Sequence, residues 1–445
     1  MTGTELHYWE HYVSVRNIQV SAPFPGTCPT YILHMSSTEK ELASIRIKFP
    51  GSSVITEIVD VLRDQQAIRE NIKESSLCVC LLPNDFTAGI AKMCIDEAKH
   101  FISASYMEPD IKALDHLAKA KKLVIMNEVG LDPGLDHILA LKTIMKAREE
   151  GCEVEEFISY CGGIPAVSSL APGNHLRYKF SWNPKAALYN TRRPATFQRD
   201  GDIIEVPEGG ALMDHAEPFH LAGLNLEVFP NRNSLVYKKE YGLSSDTRTL
   251  IRGTLRYCGF SKGMKALQHI GLFNLSTPKE IISTQITWRR YMCLLHDLPV
   301  ETTQEALESH LLTMLSGDSN QLEVVHSLGL TSDASVVPGL TALDTLAAHL
   351  ENHLAYEEGE RDMVVLYIEA RGKGRKFQSH LIAEGDSKWT AMAKTVGISV
   401  AIASGLILEG KVQERGVIRP IADDVTQPIL EALKSEGITV TSSEE

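Results

Sequence analysis

Short apolar runs alternate with longer amphipathic segments between residues 76 and 163, and this alternation constrains the fold more than any other feature. The apolar runs occupy residues 76–83, 101–105, 123–129 and 154–163. The segments between them have helical periodicity, with Asn84, Pro109 or Pro133 near their starts. Strands and helices that exchange over short connections form a parallel sheet covered by helices. We therefore predict an α/β fold built on a Rossmann-like parallel sheet.

The rest of the chain indicates a second domain. Residues 164–260 hold turn signals such as APGN, RDGD and PEGG between short β-prone runs, which predicts an α+β substrate domain on a mixed sheet. Residues 261–355 are mainly helical, and 361–385 form a predicted hairpin with its turn at Gly372–Gly374. We assign residues 1–133 plus 386–445 to a discontinuous Rossmann-like domain, and 134–385 to the substrate domain with its helical insertion.

The start of the chain lacks the glycine loop of a dinucleotide site. That loop is a G-x-G-x-x-G turn between a strand and a helix, where backbone N–H groups and the helix N-terminus receive the pyrophosphate. Residues 1–40 contain glycine only at positions 3 and 26, and no such motif opens a helix elsewhere. We therefore predict a Rossmann-like sheet that is incomplete at its N-terminus. A strand followed by a helix fits residues 30–42. No acid follows this strand to hold a ribose 2′-hydroxyl, so NADP is less disfavoured than usual.

Composition excludes several function classes. Lys and Arg total 44 against 57 Asp and Glu, a net charge of −13, which argues against nucleic acid and anionic membranes as partners. No apolar run approaches the roughly 18 residues of a membrane span. The eight cysteines follow no metal-binding spacing, so we expect no metal and a reduced intracellular protein. We expect a cytoplasmic location, with the mitochondrion as the alternative.

Several sequence blocks, in order from about residue 75 to 440, resemble the glutamate-forming saccharopine dehydrogenase (saccharopine reductase) family. The first is MNEVGLDPGLDHILALKTI at 126–144, followed by SYCGGIPA at 159–166 and LAGLNLEVFPNRNS at 221–234. LIRGTLRYCGF at 250–260 and AMAKTVGISVAIASGLILEG at 391–410 complete the series. The resemblance implies an oxidoreductase of lysine metabolism. Such an enzyme interconverts saccharopine with glutamate and α-aminoadipate semialdehyde by hydride transfer to or from NADP or NAD.

The same resemblance implies the site residues. Leu82, Ala104, Leu131, Asp132 and Pro133 would contact the cofactor. The residues implied for the substrate are Ser105, Tyr106, Arg232, Thr254, Leu255 and Arg256. Asp132, Tyr106 and a bound water remain candidates for the general base. A homodimer is left open.

Elementary chemistry supports part of this assignment and offers plain alternatives. Saccharopine has three carboxylates, which arginine binds through a bidentate fork, and Arg177 is a third candidate beside Arg232 and Arg256. On the other hand, Asp132 before a proline is an ordinary helix N-cap, and Tyr106 could be a surface residue. Cys161 and His137 are each more typical of a core residue. The two arginines could instead pair with acids of the protein such as Glu227 or Glu240.

Three functions remain open at this point. The first is an active saccharopine dehydrogenase. The second is a non-enzymatic or cofactor-impaired relative that acts as a binding or regulatory protein, which the missing glycine loop favours. The third is a reductase for another amino-acid conjugate, such as a carboxynorspermidine-type substrate, against which the PNR and GTLR blocks argue.

Overall fold

The computed structural model describes residues 31–50, 54–275 and 286–445, together with the backbone of 12–16. The absence of a glycine loop was predicted from residues 1–40, and most of these residues lie outside the described part of the chain.

The first sheet has seven strands. They are β1 (Tyr12–Arg16), β2 (Tyr31–Ser36), β3 (Val54–Ile58), β4 (Leu77–Cys80), β5 (His100–Ser103), β6 (Val124–Met126) and a late strand, β17 (Gly416–Ile418). Their order across the sheet is β17-β6-β5-β4-β1-β2-β3. Six strands run parallel, as predicted, but β1 is antiparallel to both of its neighbours, β2 and β4. A parallel pair needs a crossover connection, usually a helix, whereas residues 17–30 hold three prolines and no helical periodicity.

The helices that belong to this part follow the predicted order. They are α1 (Glu39–Lys48), α2 (Gln65–Glu74), α3 (Asn84–Asp96), α4 (Pro109–Lys112), α5 (Asp115–Ala120) and α6 (Leu135–Glu149). The single helix predicted over 109–122 is divided into α4 and α5 by two non-helical residues, Ala113 and Leu114. The remaining helices and strands predicted between 76 and 163 are present within a few residues of their expected ends.

The second sheet is mixed and has nine strands. They are β7 (Glu156–Pro165), β8 (Ala195–Arg199), β9 (Asp202–Val206), β10 (Glu217–Leu221), β11 (Leu224–Pro230), β12 (Thr249–Tyr257), β15 (Asp362–Gly372), β16 (Arg375–Glu384) and β18 (Val440–Glu444). Only β7 and β12 pair in parallel. The pairing of β15 with β16 confirms the predicted hairpin.

The part of the chain around 261–355 is mainly helical where it is described. Its helices are α9 (Phe260–His269), α10 (Trp288–Leu295), α11 (Gln304–Met314), α12 (Ser319–Ser327) and α13 (Ala342–His353). Two short helices precede them, α7 (Pro184–Asn190) and α8 (Tyr237–Glu240), and a small ribbon joins β13 (Ile286–Thr287) to β14 (Ser335–Val336). Helices α7 and α9 to α13 cover one face of the second sheet, where Tyr160 and Ile164 of β7 enter a large apolar core. Tyr237 of α8 packs in the core on the other face.

The other face of the second sheet looks towards the first sheet. Phe157 and Cys161 of β7 lie on it, packed with α6 and with α14 (Ala391–Leu408). Helix α14 contacts β15 of the second sheet and β4 and β5 of the first. Its N-terminus is capped by the Asp362 carboxylate, which accepts the N–H groups of Ala391 at 2.6 Å and Met392 at 2.9 Å. Helix α14 therefore lies between the two sheets and packs on both of them.

Helix α14 is also long and apolar enough to cross a membrane, by length and composition. The sequence expectation that no apolar run reaches this length is wrong in that sense. Over half of the helix, 56%, is buried inside the protein, between the two sheets. Its apolar character is therefore accounted for by the core.

The last helix, α15 (Asp423–Ser435), packs on α14. Of the strands that flank it, β17 belongs to the first sheet and β18 pairs with β16 of the second. The domain boundaries, 1–133 plus 386–445 and 134–385, stay a prediction.

Candidate active site

Two loops at the carboxyl ends of β5 and β6 form the floor of the candidate site. The first continues from β5 through Ala104, Ser105 and Tyr106. The second runs from Asn127 to Gly134, and its Glu128 and Val129 N–H groups donate to the carbonyls of Ser105 and Ser103, each at 3.0 Å. Ligands of doubly wound sheets lie beyond such strand ends. The backbone therefore joins the two loops where chemistry is expected.

Gly134 shapes the second loop. Its φ is 150°, and a Cβ at this position would lie 2.1 Å from the carbonyl oxygen of Gly130, so no larger residue fits without a shift of the backbone. Helix α6 begins directly afterwards, and the Asp136 carboxylate accepts the Gly134 N–H at 2.6 Å. Asp132 is not the N-cap of this helix, so that alternative is wrong. Its carboxylate is free to make other contacts.

Asp132 and Tyr106 form a hydrogen-bonded pair. The Tyr106 hydroxyl donates to Asp132 Oδ1 at 2.7 Å. Burial raises the pKa of Asp132, and the nearby Asp136 carboxylate adds to this effect while Arg252 opposes it. Burial, together with the charge of Asp132, also raises the pKa of Tyr106 well above its ordinary value. The tyrosine therefore keeps its proton and presents it to a carboxylate, and its side chain is partly buried.

Arg252 binds the carboxylate of this pair, and it was not predicted from the sequence. Its Nη2 donates to Asp132 Oδ1 at 2.5 Å and to Asp136 Oδ2 at 2.6 Å, and its side chain is 1% exposed. The guanidinium carbon lies 4.4 Å from the centre of the Tyr237 ring. Its Nε and Nη1 atoms are buried without a partner among the described residues. A guanidinium with spare donors thus lies directly behind the Tyr106–Asp132 pair.

The alternation of β12 could have revealed Arg252. Side chains two apart share one face of a strand, so Arg252, Thr254 and Arg256 lie on the same face. The side chain of Leu255, in contrast, is buried in the core on the opposite face. The structure therefore brings Thr254 and Arg256 to the site face, but of Leu255 only the backbone.

Arg232 lies against Tyr106. Its guanidinium carbon is 3.9 Å from the centre of the Tyr106 ring, and its Nη1 is 2.9 Å from Glu108 Oε1. The neighbouring Asn231 Nδ2 donates to the Tyr106 hydroxyl at 3.3 Å and to Asp132 Oδ2 at 3.4 Å. Asn231 belongs to the PNR block but was not singled out from the sequence.

Arg256 is a buried cation that makes no ion pair among the described residues. Its side chain lies over the rings of Tyr178, at 4.7 Å, and Phe260, at 5.4 Å. Its Nη1 donates to the Leu255 carbonyl at 2.7 Å, and its Nε is buried without a partner in the described part of the chain. A charge buried in this way is costly until an anion joins it.

The alternative partners of the arginines are also settled by the contacts. Glu227 accepts the backbone N–H groups of Gly259 and Ser261, and Glu240 pairs with Arg419 at 3.2 Å. Glu227 lies opposite Arg256 in the register of β11 and β12, but among the described residues neither acid forms an ion pair with either arginine. The alternative of pairing with an acid of the protein therefore holds for Arg232, through Glu108, and not for Arg256. Arg177 lies 5.3 Å from the centre of the Tyr257 ring, and its role at a carboxylate stays a prediction.

His137 and Cys161 have the character of core residues. His137 is fully buried, with Nε2 2.8 Å from Glu128 Oε2 and Nδ1 2.7 Å from the Tyr241 hydroxyl. Burial raises the pKa of the Cys161 thiol well above its ordinary value, and the Asp132 carboxylate adds to this shift. The thiol therefore stays protonated at neutral pH.

The residues implied for the cofactor lie along the first sheet. Ala104, Leu131 and Pro133 are buried in the two loops, and the Leu82 carbonyl accepts the Ser105 hydroxyl at 3.4 Å. Leu82 also lines a cavity of about 110 Å³ at the carboxyl ends of β2, β3 and β4. Its walls combine apolar, hydroxyl and carboxylate groups, from Met35, Ser36, Ser37, Asp60, Leu62 and Ile68. Among the described residues, no cluster of His, Cys, Asp or Glu could hold a metal ion.

Two family models match the chain. The saccharopine dehydrogenase NADP binding domain matches residues 27–126, and the saccharopine dehydrogenase C-terminal domain matches residues 130–438. The yeast structure of histidine-tagged saccharopine dehydrogenase (L-Glu forming) from Saccharomyces cerevisiae superposes with a TM-score of 0.80. It is 32% identical, with 92% of this chain and 93% of that one covered.

Curated relatives agree with this match. Saccharopine dehydrogenase (NADP+, L-glutamate-forming) from Pyricularia oryzae is 33% identical over 389 residues, covering 84% of this chain and 85% of that protein. Mitochondrial alpha-aminoadipic semialdehyde synthase from Rattus norvegicus is 36% identical over 389 residues, or 85% of this chain. The match covers only 42% of the rat protein, so the chain spans about two fifths of the length of such relatives.

These comparisons confirm the predicted family and the Rossmann-like α/β fold. They also support NADP as the cofactor, where the sequence left NADP and NAD open. The roles of the individual site residues stay predictions. The chain belongs to the saccharopine dehydrogenase family.

Proposed function

We propose that this protein interconverts saccharopine with glutamate and α-aminoadipate semialdehyde, with NADP as the hydride carrier. The observation that carries the proposal is the Tyr106–Asp132 pair, with Arg252 bound to it and the Arg232 guanidinium stacked on its ring. Relatives named saccharopine dehydrogenase match 84% to 92% of this chain and 85% to 93% of their own length.

The arginines suit a substrate with three carboxylates. Arg256 is buried on the site face of β12 and makes no ion pair within the described residues, so a substrate carboxylate would supply its missing counter-ion. Arg232 is stacked on the Tyr106 ring and would take a second carboxylate through its planar fork. Thr254, on the same strand face as Arg256, would donate its hydroxyl.

The Tyr106–Asp132 pair is suited to accept the proton that the reaction releases. Oxidation removes a hydride from the carbon beside the secondary amine and a proton from the nitrogen, and water then divides the imine into amine and aldehyde. NADP, when bound, accepts the hydride. The raised pKa of Asp132 brings its carboxylate closer to the range useful for a general base, and Tyr106 can relay the proton to it over a 2.7 Å bond.

Turnover by the purified protein tests the proposal. Saccharopine with NADP+ should give reduced nicotinamide, measured by its absorbance, together with glutamate. The same assay with NAD+ compares the two cofactors. Absence of turnover with both would remove the activity, while NADPH binding by calorimetry in the low micromolar range would exclude the cofactor-impaired binding protein. A panel of other amino-acid conjugates separates the related reductases.

Substitution of Arg256 tests substrate binding. Arg256→Ala should raise the KM for saccharopine about 10- to 100-fold, because a charge-assisted bond to a carboxylate contributes roughly 1.5–3 kcal/mol. Arg199→Ala, which removes a surface arginine paired with Glu217, is the matched control and should leave KM unchanged. Equal KM values for the two variants would show that Arg256 does not bind the substrate.

For the compartment we propose the cytoplasm. The mitochondrion is the alternative, because the rat, bovine and mouse relatives are named as mitochondrial. A homodimer stays a prediction, for which sedimentation is the test.

A further inference from the structure

The Arg232 guanidinium already has a counter-ion within the protein. Glu108 Oε1 lies 2.9 Å from Arg232 Nη1, and the same oxygen accepts a hydrogen bond from Asn84 Nδ2 at 3.1 Å. Glu108 follows Tyr106 by two residues, on the loop that forms one side of the site. A substrate carboxylate at Arg232 must therefore compete with the Glu108 carboxylate.

This ion pair can open. The Glu108 side chain is 39% exposed and that of Arg232 is 18% exposed, so Glu108 can return to water at small cost. The Arg232 guanidinium is also stacked on the Tyr106 ring and keeps that contact without Glu108. The acid can therefore leave while the arginine stays in place.

We propose that Glu108 is an internal counter-ion of Arg232 and that a substrate carboxylate displaces it into water. This inference rests on the proposed substrate-binding role of Arg232. In this exchange one carboxylate replaces another at the same guanidinium. Glu108 would thereby lower the affinity of the site for a carboxylate, because the substrate must first displace it from Arg232.

Neutralising Glu108 tests the competition. Glu108→Gln removes the competing charge, so the KM for saccharopine should fall about fivefold, equivalent to about 1 kcal/mol, with kcat unchanged. The matched control is Glu217→Gln, which removes the acid of a surface pair with Arg199 and should change neither constant. An unchanged or higher KM in Glu108→Gln would overturn the proposal.

A double-mutant cycle tests whether Glu108 acts through Arg232. Glu108→Gln should lower KM when Arg232 is present and should have no effect in an Arg232→Gln background, because the two carboxylates then have no guanidinium to share. An equal fall in both backgrounds would mean that Glu108 repels the substrate directly, and would overturn the exchange.

The proposed function and the exchange at Arg232 can fail separately. If the unmodified protein neither turns over nor binds saccharopine by calorimetry, the proposed function fails and the exchange fails with it. If it is active and the Glu108 variants behave otherwise than stated, only the exchange fails.

Discussion

Arg252 is held by two carboxylates in the interior of the site, and this arrangement decides what its loss costs. Asp132 and Asp136 both contact its Nη2, and the Arg252 and Asp136 side chains are almost completely buried. A buried ion pair is costly to form, but breaking it by removing one partner costs about 3–5 kcal/mol, because the other charge is left uncompensated. Here two carboxylates would be left.

The free energy of unfolding of the Arg252→Gln variant should therefore be about 3–5 kcal/mol lower than that of the unmodified protein, measured by urea denaturation. Arg199→Gln, which breaks an exposed pair with Glu217, should change the free energy of unfolding by less than about 1 kcal/mol. Similar values for the two variants would contradict the assignment of Arg252 as the central buried charge.

Residues of the site differ in how far the sequence could predict them. Tyr106 and Asp132 were placed correctly at strand ends because the strand–helix alternation fixes where the parallel strands finish. Arg252 was missed because the GTLR block drew attention to Thr254 and Arg256, although the two-residue period of the strand gives Arg252 the same face. The bond of Asp132 to Arg252 depends on a contact over 120 residues of sequence, which no local pattern contains.

A buried carboxylate, that of Glu128, holds the loop after β6 in place. Its contacts make the stability of the protein depend on pH. Glu128 accepts hydrogen bonds from the Met107 N–H at 2.8 Å, from His137 Nε2 at 2.8 Å and from Arg419 Nε at 2.5 Å. Burial alone would raise the pKa of Glu128, but His137 and Arg419 outweigh it and lower the pKa to about 2. The Glu128 carboxylate therefore binds three separate parts of the chain. These are the loop that bears Tyr106, helix α6 and the segment after β17.

Because the folded pKa of Glu128 is below its ordinary value of 4.5, its contribution to stability is present above pH 4.5. That contribution is lost as the pH falls towards 2, and over this range it amounts to about 3 kcal/mol. Glu128→Gln should lower the free energy of unfolding at neutral pH and flatten its dependence between pH 4.5 and 2, measured by denaturant titration. Glu217→Gln should keep the original slope. A slope in Glu128→Gln as steep as that of the unmodified protein would assign the acid sensitivity to other groups.

The prediction of elements was most successful where periodicity is strong. The helices and strands from 76 to 163 are present, since each has an apolar run or face of the expected period. Two features could not be predicted in this way. The antiparallel direction of β1 is a matter of tertiary pairing and leaves no local signal, and the break between α4 and α5 at Ala113 and Leu114 occurs within a continuous helical pattern.

At the scale of the whole molecule, the end of the chain contributes to both sheets in unequal ways. Segment 411–438 supplies β17 and α15, and it buries six large aliphatic residues: Val412, Ile418, Val425, Ile429, Leu433 and Ile438. Strand β18 is mostly exposed and adds edge pairing to β16 with ion pairs from Glu444 and Glu445 to Arg375 and Lys376. The first segment is therefore part of the core, and the second is an attachment at the edge.

Two truncations should separate these contributions. Removal of residues 440–445 should lower the free energy of unfolding by no more than about 2 kcal/mol and leave kcat/KM within about twofold, because exposed ion pairs contribute little and the site lies elsewhere. A chain that stops at residue 410 loses the burial of six aliphatic side chains, about 10 kcal/mol, which is comparable to the whole stability of a typical protein. It should show no cooperative unfolding transition by circular dichroism. A cooperative transition in that shorter chain would mean that the first sheet folds without β17, and that the discontinuous domain is not one folding unit.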